Sequence, residues 1–131
     1  MIDVRDYGLE FFDYTFGSVG PCGVGFEFNV SIGYPFERKD VSFIYPIVTD
    51  YTEEDSDECI KGKILKALEQ VSVEKIKENL LVFTPPDTNT DDWFGDGVKN
   101  PKAVEAFVRD NPDAFEKAIA DLKEVKGKLE N

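Results

Sequence analysis

The chain contains no histidine and only two cysteines, Cys22 and Cys59, among its 131 residues. Without histidine, zinc sites that use imidazole, Ser-His-Asp triads and Cys-His dyads are all excluded. Two cysteines are also too few for a four-cysteine zinc site, and we expect both to be reduced, partly buried thiols. We therefore predict a protein that is not an enzyme and that needs neither a metal ion nor a cofactor.

Long hydrophobic runs are also missing. No apolar stretch approaches the roughly 18–20 residues that cross a bilayer, and residues 1–6 lack the basic-then-apolar order of a signal peptide. The hydrophobic fraction of 41% is nevertheless too high for a disordered chain. We expect a soluble, cytoplasmic protein made of one domain, residues 1–131.

Basic residues are scarce: the chain has 15 Lys and Arg compared with 27 Asp and Glu, which gives a net charge of −12. Residues 1–60 carry thirteen acids and three bases, residues 84–98 carry four acids and no base, and residues 99–131 carry seven of each. A surface of this sign repels phosphate backbones, which disfavours direct nucleic-acid binding. It favours a basic protein partner, because complementary potentials steer the encounter.

Residues 1–49 are rich in predicted strands. The period-two pattern of a half-buried strand runs through Phe26, Phe28, Val30, Ile32 and Tyr34. Residues 9–16 and 41–49 have the same aromatic and β-branched character. Pro46 lies inside the last of these segments and predicts an edge strand or a bulge, because proline cannot donate to a strand ladder.

Helices dominate the remainder. Residues 50–83 predict a helix capped by Asp55 or Ser56, a short helix capped by Ser72, and a possible fourth strand. Residues 84–99 form an acidic loop, and residues 100–131 predict two helices that open with Asn-Pro at 100–101 and 111–112. This order predicts an α+β fold, in which an antiparallel sheet of three to four strands carries the C-terminal helices on one face.

Six acids in residues 50–58 make the first candidate site. The start of a helix commonly uses two or three acids to cap its end and to complement its dipole. The surplus favours contact with a partner or with solvent. The partner-binding residues predicted in this stretch are Asp50, Glu53, Glu54, Asp55, Asp57 and Glu58.

The second candidate site is the loop of residues 85–101, which holds the single tryptophan. Asp87, Asn89 and Asp91 have the one-three-five spacing of a calcium loop, but the required turn glycine is Asp92 and the required bidentate glutamate is Val98. We therefore predict no metal site. Either the loop aromatics fold inward to anchor the loop, or they are exposed and bind a partner. The predicted partner-binding residues of this loop are Asp87, Asp91, Asp92, Trp93, Phe94 and Asp96.

These features predict a small acidic, non-enzymatic inhibitor that binds a basic nucleic-acid-handling protein, by mimicry of nucleic-acid charge. This character is similar to that of phage anti-restriction and anti-CRISPR inhibitors, although the chain carries no motif of any one family. Two alternatives stay open: an immunity protein that neutralises a bacterial toxin, and an assembly module of a virion or complex. A calcium-binding or enzymatic domain is a further alternative.

Overall fold

The computed structural model describes residues 3–13, 22–34, 38–51, 56–82 and 101–130. A short 3₁₀ helix, Val4–Tyr7, opens this part of the chain, and we call it the N-terminal turn. Asp3 caps it by accepting a hydrogen bond from the backbone N–H of Arg5 at 3.0 Å. Gly8 ends it at φ 80°, a left-handed conformation that glycine adopts without steric cost.

Within the described ranges, four strands form one antiparallel sheet in the order β1-β2-β3-β4. The strands are β1 (Glu10–Asp13), β2 (Cys22–Ile32), β3 (Lys39–Tyr51) and β4 (Leu81–Val82). The period-two prediction holds for β2, because Phe28 and Ile32 are buried while Glu27 and Asn29 are exposed. The prediction is wrong for Tyr34: β2 ends at Ile32, and the Tyr34 side chain is 81% exposed in the turn that follows.

The predicted bulge occurs next to Pro46. Gly25 pairs with Pro46, whereas Val24 pairs with Val48, so Ile47 is an extra residue on β3. A bulge shifts the alternation of side chains, and Tyr45 and Val48 are therefore both buried although three positions separate them. Within the described sheet, β4 pairs only with residues 43 and 44 of β3, so Pro46 interrupts no ladder on that side.

The helices are α1 (Asp57–Leu68), α2 (Val73–Asn79), α3 (Pro101–Asp110) and α4 (Ala114–Glu130). Ser56 caps α1 by accepting from the N–H of Cys59 at 3.2 Å. Ser72 caps α2 in the same way, from the N–H of Lys75 at 3.1 Å. Both predicted caps are confirmed, but the Cys59 side chain is exposed rather than partly buried. No helix in the described ranges is long and apolar enough to cross a membrane.

The helices cover one face of the sheet, which confirms the predicted α+β class, and two clusters of buried side chains fill the contact. The first joins β2 and β3 to α2, α3 and the start of α4; its largest members include Phe28, Phe43, Ile76, Phe107 and Phe115. The second joins the N-terminal turn, α1 and the rest of α4; it includes Val4, Leu9, Ile60, Ile64 and Leu122. Phe26, Ile47 and Val71 pack against both clusters.

Phe107 lies at the centre of the first cluster and is fully buried. Its ring meets Phe28 and Phe43 edge-on, at centroid distances of 5.3 and 4.9 Å, and stacks on Phe115 at 4.7 Å. Both geometries are favoured by the quadrupole of aromatic rings. The apolar face of β2 packs against both C-terminal helices: the ring of Phe28 lies 5.3 Å from that of Phe107 in α3 and 5.9 Å from that of Phe115 in α4.

Side chains at the end of α3 form hydrogen bonds with the backbone of the turn after β2. Asp110 Oδ2 accepts from the N–H of Gly33 at 2.9 Å, and the Arg109 guanidinium donates to the backbone carbonyl of Tyr34. Asn111 Nδ2 donates to the carbonyl of Ser31 at 3.1 Å. The last helix was predicted to open with Asn111-Pro112, but α4 starts at Ala114, and the Asn111 amide instead ties the end of α3 to β2.

Candidate binding site

Only part of the predicted acidic stretch, residues 50–58, lies within the described residues. Asp57 and Glu58 lie in the first turn of α1, where both are exposed and suit the positive end of the helix dipole. Asp50 belongs to β3, but its side chain is not described. Glu53, Glu54 and Asp55 lie outside the described residues.

The second predicted site falls wholly outside the described residues. Both interpretations of the loop aromatics therefore stay predictions, as does the absence of calcium binding. The residues concerned are Asp87, Asp91, Asp92, Trp93, Phe94 and Asp96. Among the residues that the structure does describe, no group of three or more acidic or cysteine side chains could hold a metal ion.

A surface cleft of about 340 Å³ lies between the N-terminal turn and α4. Tyr7 and Gly8 line it from the N-terminal turn, and Phe26 and Glu27 line it from β2. Tyr7 and Phe26 are half-buried, so that part of each ring remains in contact with solvent. A Cβ added at Gly8 would meet no atom within 4 Å, so a side chain there would project into open space.

Helix α4 lines the cleft with Asp121, Glu124, Val125 and Lys128. These positions are spaced by three and four residues, which places them on one face of a helix. Val125 is buried against the second core cluster, whereas the three charged side chains are exposed. The lining of the cleft therefore combines apolar and partly exposed aromatic side chains with charged ones.

The cleft carries more acids than bases, because α4 contributes Asp121 and Glu124 against a single base of the lining, Lys128. Glu27 follows Phe26 directly in β2, and successive side chains of a strand point to opposite faces of the sheet. Glu27 Oε1 accepts a hydrogen bond from Asn29 Nδ2 at 2.6 Å, which fixes the carboxylate on the sheet. Asp121 and Glu124 make no ion pair with another residue of the described ranges. Two carboxylates of the cleft thus keep their capacity for a charged ligand.

Two bases near the cleft, Arg5 and Lys126, are paired with neighbouring acids. Arg5 of the N-terminal turn donates from Nε and Nη2 to the two carboxylate oxygens of Asp3, at 3.0 and 3.1 Å. These side-chain hydrogen bonds hold the pKa of Asp3 below its usual value and raise the pKa of Arg5. On α4, Lys126 Nζ lies 3.9 Å from Glu130 Oε1. Neither base lines the cleft, so its negative character is not cancelled by them.

The sequence did not predict this cleft. The helical spacing of Asp121, Glu124 and Lys128 was visible, but on an exposed helix face it is ordinary. Only the contact of α4 with the N-terminal turn, more than a hundred positions earlier in the chain, brings these charges beside Tyr7 and Phe26. No family model, curated protein or solved structure matches the chain in the comparisons with known proteins.

Proposed function

We propose that this protein is a small acidic inhibitor without enzymatic activity, which binds a basic protein that handles nucleic acid. The observation that carries the proposal is the uneven charge: residues 1–60 and 84–98 hold seventeen acids and three bases. Such a concentration of carboxylates resembles the charge of a nucleic-acid backbone. It attracts a nucleic-acid-binding surface, because complementary potentials raise the rate of encounter.

The described part of the structure supports this proposal because it contains exposed acidic side chains. Asp57 and Glu58 project from the first turn of α1, directly after the acidic stretch of residues 50–55. The sheet and helices are fastened by two buried clusters and by the contacts of Arg109 and Asp110. Asp57 and Glu58 are held on a helix that packs on this core, so these two charges are presented without a large ordering cost on binding. The proposal places the protein in the cytoplasm, where such partners work.

The test is capture of partners from a lysate of the native host by the full-length protein, at about 0.05 and 0.5 M salt. A charge-reversed variant carries lysine at Asp50, Glu53, Glu54 and Asp55. A control variant has the same net charge but carries lysine at exposed positions elsewhere, namely Glu69, Glu78, Glu105 and Glu130. We expect a basic partner that is lost at high salt and lost in the first variant, but retained by the control.

The captured partner is then assayed for its nucleic-acid activity with and without the protein. Loss of that activity supports the proposed inhibition. Equal binding by both variants contradicts charge mimicry by the acidic stretch. A dedicated toxin as the captured partner would instead identify an immunity protein, and self-association at micromolar concentration without a partner would identify an assembly module.

A further inference from the structure

We propose that the cleft between the N-terminal turn and α4 binds an arginine side chain of the protein partner. The inference rests on the proposed function, since it names the group of a basic partner that the cleft receives. It rests equally on a feature that the charge distribution alone does not provide. This feature is a surface cleft whose lining combines two partly exposed aromatic rings, Tyr7 and Phe26, with the carboxylates of Asp121 and Glu124.

The volume of the cleft is sufficient for one long side chain. Pockets that enclose small molecules and cofactors commonly measure about 300–1,000 Å³, and this cleft of about 340 Å³ lies at the lower end of that range. Its carboxylates also repel phosphate, which nucleotides and most large cofactors carry. One long side chain with its charged end group fits both the volume and the sign.

The chemistry of the lining favours arginine over lysine. A guanidinium is planar, stacks on aromatic faces and pairs with carboxylates through two parallel hydrogen bonds, whereas an ammonium is a compact, strongly hydrated charge. Tyr7 and Phe26 offer partly exposed rings, and Glu124 and Asp121 offer carboxylates without a partner in the described structure. The aliphatic stem of the arginine would pack over the exposed parts of these rings. The cleft thus provides a surface for each part of this side chain.

Lys128 and Glu124 allow a test in which two substitutions on one helix are expected to change the affinity for arginine in opposite directions. As the only base of the lining, Lys128 repels a cationic ligand, and its neutralisation should strengthen binding. Neutralisation of Glu124 should weaken it. Glu116 is exposed on the same helix but lies eight positions before Glu124, about 12 Å along the axis. That separation exceeds the Debye length of about 8 Å at physiological salt, so Glu116 is a matched control.

The experiment titrates the full-length protein with the capped tripeptide acetyl-Gly-Arg-Gly-amide and follows backbone amide shifts by NMR. The same peptide with citrulline, a neutral isostere of arginine, tests the charge, and the lysine peptide tests the planar group. We expect dissociation constants on the order of millimolar. Shifts should be confined to the residues that line the cleft, and binding should follow the order arginine, then lysine, then citrulline.

Glu124→Gln and Tyr7→Leu should each weaken arginine binding about two- to fivefold, which is the range for exposed ion pairs and cation–π contacts. Lys128→Gln should strengthen it by a similar factor, and Glu116→Gln should leave it unchanged. Absence of shifts in the cleft, equal shifts with citrulline, or an equal effect of Glu116→Gln would overturn the inference. Such a result would not contradict the capture of a basic partner by charge. Conversely, arginine binding in the cleft without any partner captured from the lysate would refute the proposed function but not the arginine site.

Discussion

Replacement of Phe107 by alanine is expected to remove a large share of the stability of the fold. The ring is fully buried and makes three aromatic contacts, with Phe28, Phe43 and Phe115, at centroid distances between 4.7 and 5.3 Å. Truncation of a buried phenylalanine costs about 3–5 kcal/mol, and aromatic pairs add about 0.5–1.5 kcal/mol each beyond the buried area. We therefore expect Phe107→Ala to lower the free energy of unfolding by about 4–5 kcal/mol, near the upper end of the range for a buried phenylalanine.

Urea unfolding measures this loss directly. With a slope of about 2 kcal/mol per molar urea, a loss of 4 kcal/mol lowers the unfolding midpoint by about 2 M. Tyr34→Ala is the aromatic control, because that side chain is 81% exposed and its removal should change stability by about 0.5 kcal/mol or less. A loss below about 1 kcal/mol for Phe107→Ala, or equal losses for both variants, would refute the close packing of the four rings.

Two further predictions concern a helix cap and a titrating carboxylate. Ser72→Ala should destabilise the protein by about 1 kcal/mol, because it removes the acceptor for the N–H of Lys75, and amide exchange at Lys75 should accelerate; unchanged exchange would contradict the cap. The hydrogen bonds from Arg109 and from Gly33 lower the pKa of Asp110, so its charge contributes stability at neutral pH that is lost as the pH falls through the lowered folded-state pKa. The stability gap between the wild type and Asp110→Asn should therefore be present at pH 7 and shrink toward pH 3 in urea unfolding, and a gap that is constant with pH would contradict this linkage.

Local chemistry explains which features of the fold could be predicted from the sequence. The period of two in β2, the serine caps of α1 and α2 and the bulge at Pro46 are each determined by a few neighbouring residues. The roles of Asn111 and Tyr34 were predicted wrongly because distant contacts decide them. The amide of Asn111 is engaged by a strand eighty positions earlier, and the turn that holds Tyr34 is fastened by α3.

The charge of the cleft, too, depends on the folded arrangement and not on neighbouring residues alone. Residues 99–131 hold seven acids and seven bases and are neutral as a segment. On the cleft face of α4, however, Asp121 and Glu124 outnumber Lys128, whereas Lys126 pairs with Glu130 away from the cleft. A net charge counted along the chain averages over opposite faces of a helix, but a ligand meets one face only. The two carboxylates that we expect to contact an arginine, Asp121 and Glu124, therefore both lie in a segment whose net charge is zero.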